Sequence, residues 1–257
     1  MYGLSVCAET VFRHLPFKDR VREIAAEGFQ VEFWRWDHHD LNELAGIPNL
    51  KISNFVGSMR GSMVHPDGVE LFLNGVKSCL PVAEKLGCGK LILLAGELGP
   101  KGEAAHPVAA NPAIRWITAY KTLCRVAELA EKANVVFCLE HLNTNVDHSN
   151  YPLPHVEDAL HLVSEVGSSK IRVLLDLYHA QVQEGNLIEK IKLCQPFLGH
   201  VHVADVPGRH EPGTGEIDYG QIAQTLSTIN YSGNVGLEAF PIADDRSALK
   251  SFRRIFS

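Results

Sequence analysis

Four apolar runs in the second half of the chain each end in a residue whose side chain can bind a metal ion. These residues are Glu140, Asp176, His202 and Glu238, and they are 36, 26 and 36 positions apart. Each interval has room for one strand, one loop and one helix, since a strand–helix–strand unit needs roughly 30 residues. Charged side chains are rarely buried unless they are paired or bind a metal. The spacing therefore predicts a site at the carboxyl ends of successive strands.

The donor set of this predicted site is three carboxylates and one imidazole. It suits one divalent metal ion, Mn²⁺, Mg²⁺ or Co²⁺, and Zn²⁺ is also compatible. Four protein ligands leave about two positions of an octahedral ion for water or for substrate oxygens. Each residue taken alone is equally well explained as a polar cap of a strand end. The repetition in four consecutive units favours a metal cofactor.

The loop after the strand of His202 carries a candidate for binding an acidic substrate. Residues 206–216 are rich in Gly and Pro and include Arg209. A guanidinium in this position can clamp a carboxylate through two parallel hydrogen bonds. In the alternative interpretation, Arg209 pairs with Glu211 or Glu216 and only orders the loop.

Four further residues are predicted to surround the substrate. His179 comes three positions after Asp176 and is placed on a loop beside the metal, or otherwise on the surface of that loop. Arg60 and His65 follow the third predicted strand and can contact a carboxylate. Trp34, near the end of the second strand, can form a wall of the pocket, although aromatic side chains at strand ends more often pack in the core.

Strand and helix patterns alternate along the whole chain. Strands are expected at 2–8, 31–36, 51–56, 91–95, 135–140, 171–176, 198–202 and 234–238. Helices are expected at 17–27, 40–45, 69–86, 112–132, 156–166, 187–194, 219–229 and 244–255. The strands are short and nearly continuously apolar, as strands covered on both faces are.

About eight strand–helix units predict a closed (β/α)8 TIM barrel that occupies residues 1–257 as a single domain. An open Rossmann sheet is the alternative. It lacks support, because no GxGxxG motif follows the first strand.

Bulk composition excludes several classes of partner. The net charge of −6 gives no basic surface for nucleic acid. The sequence contains no apolar run of about 18 residues, so no membrane span is expected. The six cysteines form no CxxC pair, so they are expected to be reduced thiols of a cytoplasmic protein and not a zinc cluster.

The motifs around the candidate ligands resemble the xylose-isomerase-like TIM-barrel superfamily, and within it they are most similar to the hydroxypyruvate isomerase family. The matching strings are Glu140–Asn143, Asp176–His179, His202–Arg209 and Gly236–Glu238. The most specific part runs through Pro207–Pro212 and Gly215–Tyr219. The resemblance extends over nearly the whole chain.

This resemblance implies that the four residues bind one divalent metal ion. It implies that Glu140 and Glu238 are also the catalytic residues that move a proton, whereas Asp176 and His202 only hold the ion. The implied reaction converts hydroxypyruvate to tartronate semialdehyde through an enediolate, in a protein that forms a homodimer or homotetramer. The substrate is expected to be a small hydroxy-keto acid, or otherwise a sugar.

Several alternatives stay open at this point. A 2-oxo-tetronate isomerase, a ketose 3-epimerase or an inosose isomerase would use the same metal site. The ketose 3-epimerases carry an additional Glu shortly after the first ligand, and residues 143–146 offer none. Some hydroxypyruvate isomerases have Gln as the third ligand, where this chain has His202. A nuclease on the same barrel would need more histidines and a basic groove. A non-catalytic barrel that binds sugar acids would not need both glutamates.

Overall fold

Eight short strands run parallel to one another in a computed structural model that describes residues 2–257. Their order in the sheet is β3-β2-β1-β8-β7-β6-β5-β4. The strands are β1 (Gly3–Cys7), β2 (Gln30–Phe33), β3 (Ile52–Phe55), β4 (Lys90–Leu93), β5 (Val136–Glu140), β6 (Ile171–Asp176), β7 (Leu198–Val203) and β8 (Asn234–Leu237).

The sheet closes on itself between β3 and β4. Val56 and Ile92 form a parallel bridge just beyond β3, and the N–H of Gly57 donates to the carbonyl of Ile92 at 2.8 Å. Each strand is thus joined to two neighbours, which is the arrangement of a barrel and not of an open sheet. The predicted TIM barrel is confirmed.

Nine α-helices are present within the described residues, of which eight lie between strands and the ninth follows β8. They are α1 (Phe17–Ala26), α2 (Leu41–Ala45), α3 (Val69–Leu86), α4 (Pro112–Ala133), α5 (Val156–Val166), α6 (Leu177–Gln183), α7 (Leu187–Cys194), α8 (Tyr219–Thr228) and α9 (Asp245–Phe256). The last helix shows why these segments are helical. Its charged residues Arg253 and Arg254 are exposed, whereas its buried residues lie at intervals of one, three and four positions, namely Ala248, Leu249, Phe252 and Phe256. Such a pattern presents one apolar stripe to the barrel.

The short helix α6 was not expected from the sequence. It begins directly after β6, because the carboxylate of Asp176 accepts a hydrogen bond from the backbone N–H of His179 at 3.0 Å and so caps the helix. The prediction that His179 lies on a loop is therefore wrong. A segment this short carries too few periodic positions to be recognised as a helix from its sequence.

Alternation along the strands divides the barrel into two layers. In β7, Val201 belongs to the main apolar core, whereas His200 and His202 point to the opposite face. The interior contains a small apolar cluster, formed by Val56, Ile92, Cys138 and Leu174. It also contains buried polar residues, among them Glu32 and His200. No helix within residues 2–257 is long and apolar enough to cross a membrane.

Candidate metal centre

The structure brings the four predicted ligands together at one end of the barrel. Glu140 and Asp176 are the last residues of β5 and β6, His202 lies in β7, and Glu238 follows β8 directly. One donor atom from each lies within 4.8 Å of the others, and all four residues are buried. This is the carboxyl end of the parallel strands, where TIM barrels place their active sites.

His202 lies at the centre of the donor set. Its Nδ1 atom is 3.4 Å from Oε1 of Glu140, 3.6 Å from Oε2 of Glu238 and 3.9 Å from Oδ2 of Asp176. Nδ1 is buried and has no hydrogen-bond partner among residues 2–257. A buried nitrogen without a hydrogen-bond partner costs free energy. This cost is removed if the nitrogen binds a cation together with the three carboxylates. The residues present therefore fit a divalent metal ion.

The two glutamates of the cluster have opposite pKa shifts. Burial raises the pKa of Glu140 to about 7, and the nearby charges of Glu238 and Asp176 add to this effect. Burial also acts on Glu238, but the cations of Arg209 and His202 outweigh it and hold its pKa below the ordinary value. Two carboxyl groups with separated pKa values can serve as an acid and a base. A bound cation would lower the pKa of both, since it stabilises their charged forms.

Arg209 reaches the cluster from the loop that follows β7. Its guanidinium forms an ion pair with Glu238, lies 3.6 Å from Oδ2 of Asp176, and is 5.0 Å above the ring of Tyr178. Pairing with Glu211 or Glu216 is not observed, because Glu211 accepts from the N–H of Ile242 and Glu216 accepts from Gln181. The alternative in which Arg209 only orders its own loop is wrong.

A buried carboxylate, Asp205, holds this loop in shape. Its two oxygens accept hydrogen bonds from four backbone N–H groups at 2.9–3.1 Å, those of Val206, Gly213, Thr214 and Ile217. At Gly215, a Cβ atom would collide with the carbonyl of Val206, so only glycine fits. A signal for this role is present in the sequence, since Asp205 heads a loop that is rich in Gly and Pro.

His179 and Trp34 both reach the site. His179 is buried on α6, its Nδ1 is 2.6 Å from Nδ2 of Asn143, and its Nε2 is 3.6 Å from Oδ2 of Asp176. Burial and the nearby cation of Arg209 lower the pKa of His179 well below its ordinary value, so the imidazole is neutral. The indole N–H of Trp34 donates to Glu238. Both side chains line the pocket that also includes the candidate ligands Glu140 and Glu238.

The pocket has a volume of about 340 Å³. Its lining includes the polar residues Glu140, Glu238, His179 and Arg209. It also includes the apolar residues Val56, Met59, Ile92, Leu94, Leu98 and Leu142. The pocket therefore combines ionic and hydrogen-bonding groups with apolar surface.

The structure does not bring every predicted substrate contact to this pocket. Arg60 is exposed, and His65 caps a short 3₁₀ helix by accepting from the N–H of Asp67 at 3.2 Å. Neither residue lines the pocket. Two titratable residues of the lining were not predicted, Arg35 and His148. Both lie on irregular segments, whose side-chain directions do not follow from sequence periodicity.

Comparisons with known proteins agree with this architecture. Residues 19–255 match the family described as xylose isomerase-like TIM barrel, and the chain belongs to that family. Among its curated relatives is the hydroxypyruvate isomerase of Escherichia coli, which is 28% identical over 97% of this chain and 98% of that protein. Another is the 2-oxo-tetronate isomerase of Cupriavidus necator, which is 29% identical over 93% of each chain. The expected resemblance to hydroxypyruvate isomerases is confirmed, and relatives named as isomerases agree with the predicted enzyme class.

Solved structures show the same barrel. A protein of Brucella melitensis described as AP endonuclease, family 2 superposes with a TM-score of 0.89, at 28% identity and with 99% of each chain covered. The D-psicose 3-epimerase of Clostridium cellulolyticum superposes with a TM-score of 0.81 at 20% identity, with 99% of each chain covered. The second likeness, at this identity, concerns the fold alone.

Proposed function

We propose that the protein is a metal-dependent isomerase of small hydroxy-keto acids, and that it interconverts hydroxypyruvate and tartronate semialdehyde. The observation that carries this proposal is that Arg209 lines the same pocket as two glutamates, Glu140 and Glu238, and forms an ion pair with Glu238. The pocket combines a carboxylate-binding group with a pair of groups that can exchange protons. An isomerase of a hydroxy-keto acid needs both.

Four residues would hold the metal, namely Glu140, Asp176, His202 and Glu238. When bound, the divalent cation supplies positive charge that acidifies the carbon-bound proton of an α-hydroxycarbonyl group and stabilises the enediolate. Arg209 binds the substrate carboxylate and thereby fixes which end of the molecule faces the glutamates. His179 offers a neutral imidazole to a substrate oxygen.

The proton transfers fall to the two glutamates. Glu238 removes a proton from the carbon that carries the hydroxyl group, and the electron pair of that C–H bond forms the double bond of the enediolate. A proton is then delivered to the neighbouring carbon by Glu140, while the hydroxyl proton passes to the former carbonyl oxygen. The carbonyl group has moved by one position, and no atom is gained or lost. The arrangement on β5 and β8 supports this division, since the two side chains approach the pocket from different strands.

The apolar part of the pocket lining favours a short acid over a sugar. A ketohexose or an inosose has hydroxyl groups along its whole length, and those buried against Val56, Ile92 and Leu94 would be left without partners. Hydroxypyruvate is shorter and has fewer oxygens that need partners. A 2-oxo-tetronate is the second candidate, favoured by the relative from Cupriavidus necator and by a pocket with room for a fourth carbon.

A substrate panel tests the proposal. The Mn²⁺-loaded protein is incubated separately with hydroxypyruvate, a 2-oxo-tetronate, D-fructose and an inosose, and the products are identified by NMR. We expect an aldehyde–ketone interconversion of one of the two acids and little turnover of the sugars. Turnover of a ketohexose alone would contradict the proposal, and no turnover of any compound would favour a non-catalytic barrel.

A further inference from the structure

Glu32 lies inside the barrel, next to the candidate metal ligand His202. Its Oε2 atom is 2.8 Å from Nε2 of His202, and its Oε1 atom is 2.9 Å from Nε2 of His200 and accepts from the hydroxyl of Ser5. All four residues are buried. Within the described chain, the ion-pair partners of this carboxylate are two histidines, and neither Lys nor Arg is among them. Burying a charge costs free energy unless the charge is paired, and the two histidines provide this pairing.

The contact with Glu32 determines which nitrogen of His202 is free. A carboxylate oxygen only accepts hydrogen bonds, so the hydrogen between Oε2 and Nε2 belongs to His202. A metal ligand must be a neutral imidazole, and in that form the lone pair of His202 lies on Nδ1. This is the atom that faces Glu140, Asp176 and Glu238 and has no hydrogen-bond partner in residues 2–257.

We propose that Glu32 is a positioning residue of the metal centre, which fixes the tautomer and the ring orientation of His202 so that Nδ1 is presented to the cation. This inference rests on the proposed metal site. Carboxylate partners of metal-binding histidines orient the ring and increase its basicity, and their loss weakens metal affinity by about 10–100-fold. Glu32 acts through His202 and does not itself reach the pocket.

The surroundings keep Glu32 in this position. A Cβ atom at Gly236 would collide with the carboxylate oxygens, so the glycine of the motif Gly236-Leu237-Glu238 makes room for it on β8. On β3, the amide of Asn54 lies 3.1 Å from Nε2 of His200. The carboxylate is therefore confined from several strands, and its orientation toward His202 is a property of the folded barrel.

The same distances argue against a second cation at Glu32, His200 and His202, although their donor atoms also lie close together. A hydrogen bond of 2.8 Å joins the carboxylate to His202, and an ion-pair contact of 2.9 Å joins it to His200. A cation between them would have to replace both contacts and the hydrogen on Nε2 of His202. The geometry assigns this group to the support of one metal site.

The experiment compares Mn²⁺ binding by two variants of the full chain. Metal-free protein is titrated with Mn²⁺, and the free ion is measured by its EPR signal. Glu32→Gln keeps the volume of the side chain but removes its charge, and we expect its dissociation constant to rise by about 10–100-fold. Ser5→Ala is the matched control, since it removes the donor to Oε1 and leaves the contact of Oε2 with His202 intact. Its dissociation constant should equal that of the parent.

Thermal melts of the metal-free proteins separate positioning from a merely structural role. A structural role would lower the melting temperature of Glu32→Gln without changing the affinity of the folded protein for Mn²⁺. Should Glu32→Gln fail to fold, Glu32→Asp withdraws the carboxylate from His202 by one methylene group and is expected to weaken binding in the same direction.

The possible outcomes distinguish this inference from the proposed function. A parent protein that binds Mn²⁺ tightly, together with a Glu32 variant of unchanged affinity, overturns the positioning role alone. Equal weakening by Ser5→Ala overturns it as well, because the effect would then not pass through Oε2 and His202. A parent that binds no divalent metal overturns both.

Discussion

Arg209 and Glu238 form a partly buried ion pair that joins the loop after β7 to the end of β8. One partner is the group proposed to bind the substrate carboxylate, and the other is the proposed base. An incoming acid would compete for the guanidinium, so that substrate binding transfers hydrogen bonds of Arg209 from Glu238 to the substrate. The carboxylate of Glu238 would then be released next to the carbon that loses its proton.

Replacement of Arg209 by Lys should selectively impair turnover of acids. Lysine keeps the charge but cannot form two parallel hydrogen bonds to a carboxylate. A charged hydrogen bond contributes about 1.5–3 kcal/mol, so kcat/KM for hydroxypyruvate should fall by roughly tenfold or more. Dihydroxyacetone, a neutral hydroxy ketone, provides the control in steady-state assays. An equal loss with both substrates would show that Arg209 does not recognise the carboxylate.

Replacement of Glu238 by Gln should abolish proton transfer and leave the fold intact. The amide has nearly the same shape as the carboxylate but cannot accept a proton from carbon, and loss of such a base typically lowers rates by about 10²–10⁴-fold. NMR in D₂O measures the exchange of the substrate α-proton with solvent. Normal exchange in a variant with an unchanged circular dichroism spectrum would exclude Glu238 as the base.

Removal of the metal should abolish activity reversibly and lower stability. EDTA treatment is expected to inactivate the protein, and added Mn²⁺, Mg²⁺ or Co²⁺ should restore activity. A cation at 100 times its dissociation constant adds about 2.7 kcal/mol to the free energy of unfolding. Differential scanning calorimetry with and without the ion measures this shift. Full activity in a preparation shown by elemental analysis to be metal-free would refute the site.

Replacement of Asp205 by Asn should loosen the Arg209 loop without removing a ligand. The amide offers one acceptor oxygen where the carboxylate uses two, so some of the four backbone N–H groups lose their partner. Each unsatisfied buried group costs about 1–3 kcal/mol. We expect faster proteolysis within residues 206–217 and a higher KM for acids, with unchanged Mn²⁺ affinity. Protease resistance and KM equal to those of the parent would contradict the role of Asp205.

The barrel and the group of four candidate ligands were predictable, because the ligands lie at the ends of successive strands. In a parallel barrel all carboxyl ends meet on one face, so Glu140, Asp176, His202 and Glu238 converge even though up to 98 positions separate them in the chain. Arg60 and His65 also follow a strand, but the turn beyond β3 directs them away from the pocket. Strand order determines where a loop starts, whereas the direction of a loop depends on its own hydrogen bonds.

The contact of Glu32 with His200 and His202 was not predicted, for a different reason. His200 and His202 are two positions apart in one strand, and this spacing places both on the same face. Glu32 is a lone carboxylate between Val31 and Phe33. Both features were visible in the sequence, but β2 and β7 are not neighbours along the chain or in the sheet. Their contact arises only when the barrel closes and the interior residues meet.

The most direct test of metal-dependent isomerisation incubates hydroxypyruvate in D₂O with two preparations of the parent protein, one stripped of metal and one then reloaded with Mn²⁺. After the reaction, protein and Mn²⁺ are removed and the products are examined by proton NMR. We predict that the loaded protein forms tartronate semialdehyde with deuterium at the carbon that receives the proton, and that the metal-free protein forms none. Equal product formation in both preparations would contradict the metal site, and the absence of product and of deuterium exchange in the loaded protein would contradict the proposed reaction.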